Sequence, residues 1–177
     1  MKTKSPPRKE AGTQITIDWS DAHIAYFDGL CEPVNPGGVA TYGVLIKKAG
    51  GTVFEDSGLA LAKPWTLEAS NNVAEYSAAI RALEWLNEHD LQDSPVVLRG
   101  DSRLIINQLK GTFKVKAARI LDLNKRAAAL LSKFTNLKLE WVDRSKNSEA
   151  DRLSRVAYGK YRLESSRRKT LPDANAF

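Results

Sequence analysis

Three strand-forming runs follow one another before any helical period appears, and this order constrains the fold more than any other feature. His23 to Asp28 (HIAYFD), Val39 to Lys47 (VATYGVLIK) and Thr52 to Ala60 are rich in β-branched and aromatic residues, with Gly50-Gly51 as the expected hairpin turn between the last two. From Leu67 to His89 the period becomes helical. Val73, Tyr76, Ile80, Leu83 and Asn87 follow one stripe, and Ser70 or Asn71 offers the N-cap. A short strand, Val96 to Leu98, then leads to Gly100-Asp101, and helices are predicted over Ser102 to Leu109 and Ala117 to Phe134. Leu137 to Val142 alternates as a fifth strand. Ser148 to Tyr161 reads as a last helix, with Leu153, Val156 and Ala157 facing inward. Hairpins followed by alternating helix and strand predict an α/β fold: a five-stranded mixed sheet, three antiparallel strands then two parallel, flanked by helices.

At 177 residues the chain is expected to hold one domain, residues 13–161, between a basic arm (1–12) and a basic tail (162–177). No apolar run reaches the roughly 20 residues of a membrane span, and the first residues lack the apolar segment of a secretory signal. With the single Cys31 unable to form an internal disulfide, a cytoplasmic protein is expected. The net charge of +6 is unevenly placed. Residues 13–98 carry 4 basic and 12 acidic groups, whereas residues 99–158 carry 14 basic and 6 acidic ones. An acidic metal site in the first half and a phosphate-binding surface in the second fit this division, as do ordinary solvated faces.

Four carboxylates stand in places that structural roles explain poorly when taken together. Asp28 ends an apolar run, where an isolated charge is costly to bury. Glu75 shares a helical flank with Ala79, Ala82 and Leu86. Asp101 follows a strand and competes for the role of helix cap, while Asp151 lies in the first turn of the last helix, where the helix dipole favours an acid. Strand ends and helix faces of this kind converge at one edge of a mixed sheet. Carboxylates so placed suit hard divalent cations, held about 3.5 to 4 Å apart in two-metal phosphodiesterases. Asp18, Asp21, Asp56, Asp90 and Asp93 fall in polar contexts and read as solvated, and His23 and His89 sit at element ends.

The motifs DGLCEPVNPGG (28–38), SNNVAEY (70–76), GDSRLIINQLKG (100–111) and NSEADRLSR (147–155) occur in the order seen in type 1 ribonuclease H, and the chain resembles that family from about Ile24 to Tyr158. The resemblance implies the ribonuclease H-like fold and assigns Asp28, Glu75, Asp101 and Asp151 as catalytic, metal-binding carboxylates. It implies two Mg²⁺ or Mn²⁺ ions, bridged by Asp28, with Glu75 and Asp101 on one and Asp151 on the other. It also implies substrate contacts by Gly29, Cys31, Asn35, Ser70, Asn71, Asn72, Arg144 and Asn147. The substrate so implied is an RNA/DNA hybrid whose RNA strand is hydrolysed to 5′-phosphate and 3′-hydroxyl ends by a monomer, double-stranded RNA being left open as a second substrate.

Two departures from the family pattern stand out. The loop VDRSKNSEAD carries Arg144, Lys146 and Asn147 but no histidine before the final aspartate, as in the archaeal branch of the family. The segment 110–126 is too short for the extra basic helix of many bacterial members, leaving Lys114, Lys116, Arg119, Lys125 and Arg126 as partial replacements. A DNA-directed nuclease of the same fold, or a module that binds hybrid or double-stranded RNA without cutting, are the alternatives. Only an enzyme needs all four acids.

Overall fold

The hairpin order is realised in a computed structural model that describes residues 16–170. The expected arm, 1–12, and the last part of the expected tail, 171–177, lie outside the described residues. After a 3-10 turn at Trp19–Asp21 come β1 (His23–Glu32), β2 (Val39–Lys48) and β3 (Gly51–Leu59), then α1 (Asn71–Glu88), β4 (Val96–Gly100), α2 (Arg103–Leu109), α3 (Ala118–Leu131), β5 (Leu137–Trp141) and α4 (Ser148–Thr170). The sheet order is β3-β2-β1-β4-β5. The first three strands pair antiparallel, and β4 and β5 join parallel to β1. This is the predicted mixed sheet, with β1 central.

Alternation along β2 divides the interior. Ala40, Val44 and Ile46 join the main core with Val73, Tyr76, Ile80 and Leu83 of α1 and Ile105, Ile106 and Ile120 beyond it. Thr41 and Gly43, of the opposite parity, meet α4, where the Thr41 hydroxyl donates to the Ser154 carbonyl at 2.9 Å. The Ser70 side chain caps α1 by accepting from the Val73 amide. Ser102 does the same for α2 through the Ile105 amide, so Asp101 is not the cap and its carboxylate is left for other work.

Several boundaries differ from expectation: α3, expected to reach Phe134, ends at Leu131, and β4 runs two residues past Leu98 to Gly100. The hairpin turn is Ala49-Gly50, both with positive φ (48° and 79°), and Gly51 already pairs with Lys48 as the first residue of β3. Asp28 lies within β1, which runs on to Glu32. The last helix does not stop at Tyr161 but continues to Thr170, taking in much of the expected tail, and Val156 on it is 37% exposed rather than inward. Among the described residues no helix is long and apolar enough to cross a membrane.

Candidate active site

Two glycines bring helices onto Asp28 from opposite faces of the sheet. A Cβ at Gly29 would overlap the Glu75 amide nitrogen and lie 2.5 Å from the Ala74 carbonyl carbon, so only glycine lets α1 approach β1 this closely. Gly43 pairs with Asp28 across the sheet, and a Cβ there would meet the Ala150 carbonyl and lie 2.6 Å from the Ser154 amide. This lets α4 in. Gly43 was not singled out from sequence, although a glycine inside a strand run signals close backbone approach.

The result is a cleft of about 240 Å³ whose lining includes Asp28, Glu75, Asp101 and Asp151, all four expected acids, together with Gly29, Asn71 and Arg144. Asp28, Glu75 and Asp101 each direct an oxygen to within 4.8 Å of the others. Asp28 is 6% exposed. Burial first, and then the Asp101 and Asp151 carboxylates, push its carboxyl from an ordinary 3.8 to about 7, against the hydroxyl of buried Ser154, which donates to Oδ2 at 3.1 Å. Glu75 is held well above the usual carboxylate range, chiefly by burial and then by Asp28 and Asp101. Its Oε2 is buried without any hydrogen-bond partner.

Crowded, desolvated oxygens with an unsatisfied buried acceptor are what a divalent cation would relieve, and an all-carboxylate donor set suits Mg²⁺ or Mn²⁺. The residues fit such an ion. Asp151 is outside that close group and is bonded by two arginines: Arg155 through Nε at 2.8 Å and a terminal nitrogen at 3.1 Å, and Arg144 at 2.9 Å. These bonds, that from Arg155 foremost, hold its carboxyl below the usual range. Ser154 and Arg155 were missed from sequence: nothing local marks a serine as the neighbour of an aspartate 126 residues away, whereas the i, i+4 spacing of Asp151 and Arg155 on one helix was a signal that could have found the arginine.

The expected substrate contacts divide. Asn71 and Arg144 line the cleft, and Asn35 is exposed beside it, its Oδ1 accepting from the Asn71 amide at 3.0 Å. Asn72 lines a neighbouring groove. Three others are turned inward. The Cys31 thiol is buried and donates to the Val34 carbonyl, and Ser70 is buried as the cap of α1. Asn147 is 1% exposed, and its amide nitrogen donates to the Phe27 carbonyl at 3.0 Å and to Asp101 Oδ1 at 3.3 Å. Asn147 is thereby tied to β1 and to Asp101, while its own Oδ1 is buried without a hydrogen-bond partner. Both histidines lie elsewhere: His23 begins β1, five residues and roughly 16 Å of strand from Asp28, and His89 follows the far end of α1.

Residues 27–157 match the family model described as reverse transcriptase-like. The chain belongs to this family. Among its relatives, Ribonuclease HI of Halobacterium salinarum is 37% identical over 133 residues, 75% of this chain and 62% of that protein. The bifunctional protein Rv2228c of Mycobacterium tuberculosis is 37% identical over 124 residues, and the match spans only 32% of its length. The solved N-terminal ribonuclease H domain of that mycobacterial protein superimposes with a TM-score of 0.70 at 31% identity, covering 82% of this chain and 99% of that one. The structure of LC11-RNase H1 in complex with RNA/DNA hybrid gives 0.69 at 36% identity, covering 78% and 98%. The five-stranded sheet described above is thus the ribonuclease H fold.

Proposed function

We propose that the protein is an endonuclease that hydrolyses the RNA strand of RNA/DNA hybrids, with two divalent ions, Mg²⁺ or Mn²⁺, bound at the cleft. The observation that carries this reading is the convergence of Asp28, Glu75 and Asp101, with oxygens within 4.8 Å of one another and Glu75 Oε2 lacking a partner. Family relatives that are themselves ribonucleases H, one of them solved with a hybrid, support the choice of substrate.

The protein's own groups have distinct tasks. Asp28, Glu75 and Asp101 form one ligand set, and Asp151 faces them across the same cleft, its orientation fixed by Arg155. When bound, the ions would supply Lewis acidity, generating hydroxide from water and stabilising the leaving 3′ oxygen, which yields 5′-phosphate ends. Ser154 fixes Asp28 through one oxygen. Asn147 steadies Asp101. Arg144, exposed at the mouth, places positive charge where a scissile phosphate would enter.

The exposed amides of Asn35 and Asn71, at that same mouth, suit ribose 2′-hydroxyls. Beside them a shallow groove of about 500 Å³ is lined by Asn72, Phe113, Lys114 and Lys116. An exposed ring and two ammonium groups suit the second strand of a duplex, contacted through its backbone without reading sequence. All four acids belong to one chain, so a monomer suffices.

The test is a panel of labelled hybrid, double-stranded RNA, DNA duplex and single strands, incubated with Mg²⁺, Mn²⁺ or EDTA and analysed for product ends. Metal-dependent cutting of the hybrid's RNA strand to 5′-phosphate ends is expected. Cutting of DNA would reassign the substrate, and tight hybrid binding without cutting under either metal would leave a binding module.

A further inference from the structure

α4 outlasts the core beneath it. Its last buried residue among those described is Ala157, and from Arg162 to Arg168 no side chain is buried, Leu163 being 64% exposed. The overhanging turns do not stand alone, because the loop between β3 and α1 runs alongside and presents Trp65. That residue is 59% exposed and has a φ of 63°, a left-handed conformation that a bulky residue adopts at a cost.

The ring is held in place at both ends of the residue. Trp65 Nε1 donates to the Tyr161 hydroxyl at 3.1 Å, and its backbone amide donates to the Gly38 carbonyl at 2.8 Å. Opposite it, Tyr161, Ser165 and Arg168 follow one another at i, i+4 and i+7 and so share a face of α4, with Arg162 beside them. Together they line a groove of about 430 Å³, with no acidic residue in its lining among the described residues.

An exposed indole, tethered at Nε1 and sharing a groove with the Arg162 and Arg168 side chains, has the chemistry of a single-strand site, where bases stack on aromatic rings and phosphates meet cations. A duplex keeps its bases stacked on one another and would leave Trp65 without a role. The groove and the cleft are also bordered by one loop and one helix. The loop after β1 links the two, with Asn35 bonded to Asn71 at the cleft and Gly38 bonded to Trp65. Along α4, Asp151 and Arg162 are eleven residues apart, about 16 Å. At about 3.4 Å per nucleotide of a stacked strand, that is roughly five nucleotides.

We propose that this groove binds an unpaired strand continuing from the hybrid, with a base stacked on Trp65 and phosphates on Arg162 and Arg168. The source of the strand rests on the hybrid-cleaving reading; the groove's affinity for single strands does not.

The test is fluorescence anisotropy with the full chain in EDTA, using oligouridylate, oligothymidylate, blunt hybrid, and hybrids with an RNA or a DNA overhang. An overhang is expected to tighten binding about tenfold over blunt hybrid. Trp65→Ala removes that gain, Trp65→Phe keeps most of it, and neither changes blunt-hybrid binding or cutting. Arg162→Gln with Arg168→Gln lowers the salt slope of overhang binding by about 1.4, at about 0.7 per single-strand phosphate contact. Circular dichroism checks that each variant is folded.

The proposal is overturned if neither overhang tightens binding, if the gain survives Trp65→Ala in a folded variant, or if sedimentation shows a second copy of the chain covering the groove. Hybrid cutting without an overhang effect would sink the groove alone. Trp65-dependent binding of single strands without any cutting would instead sink the nuclease reading and leave the groove standing.

Discussion

Asp28→Asn is expected to stabilise the metal-free protein while abolishing cleavage. The Asp28 carboxyl sits at about 7 rather than 3.8, chiefly because it is buried. At about 1.4 kcal/mol per factor of ten, the folded protein carries a cost of roughly 4 kcal/mol once this group is ionised. The sign follows from which state ionises first. Below about pH 4 the carboxyl is protonated in both folded and unfolded chains, and it contributes no difference. Between 4 and 7 only the unfolded chain ionises, so wild-type stability declines as pH rises, and above about 8 the loss is complete. Asparagine has the same shape, accepts from the Ser154 hydroxyl and carries no charge.

Neighbouring Glu75 and Asp101 share the repulsion, so a gain of about 2 to 4 kcal/mol is expected at pH 8, or roughly 5 to 15 °C in Tm, shrinking to nothing at pH 4. Thermal unfolding followed by circular dichroism in EDTA at pH 4, 6 and 8 measures it. Adding Mg²⁺ should raise the wild-type Tm at pH 8 and move the variant far less, since a ligand stabilises only the state that binds it. A variant no more stable than wild type at pH 8, or a gap that does not change with pH, would refute the reasoning.

Three further substitutions probe the supports of the site. Gly29→Ala must push α1 off β1, and we expect a loss of about 1 to 3 kcal/mol in urea unfolding together with severely reduced cleavage under conditions where the variant is fully folded. Ser154→Ala removes the side-chain donor to Asp28 Oδ2; the Mg²⁺ concentration for half-maximal cleavage, and that for half-maximal rise in Tm, should both increase about tenfold, reflecting a lost hydrogen bond to a charged group. Arg155→Ala removes the chief influence holding the Asp151 carboxyl low, so the acid limb of the pH–rate profile should move to higher pH, with kcat at pH 8 much less affected.

Much of this arrangement was legible in the sequence because apolar periodicity and charge are local signals. Asp28 and Glu75 stood out as acids in apolar surroundings, and the structure brings them together with Asp101. Other features depend on partners that the local sequence does not name. Asp101 and Ser102 are adjacent and both suit a helix cap, and only the fold shows that Ser102 takes the role. Asn147 sits in a polar loop, which suggests a surface contact, yet its amide is buried against Phe27, 120 residues away.

Ala49 turns the β2–β3 hairpin with a positive φ that alanine gives no reason to expect beside two glycines. The end of α4 was hidden for a different reason. Residues 162–168 lack an apolar stripe because there is no core for them to face, although leucine, glutamate and arginine are good helix formers in their own right.

The most direct test of the central claim is the rate of RNA-strand cleavage in a labelled hybrid as Mg²⁺ or Mn²⁺ is titrated, comparing wild type with Asp28→Asn and Glu75→Gln. The carboxylate cleft predicts no cutting in EDTA, cutting that rises and saturates with metal for wild type, and a loss of about a thousandfold or more (roughly 4 kcal/mol of barrier) in both variants, each still folded. Cutting that persists in EDTA, or that survives either substitution at saturating metal, would contradict it.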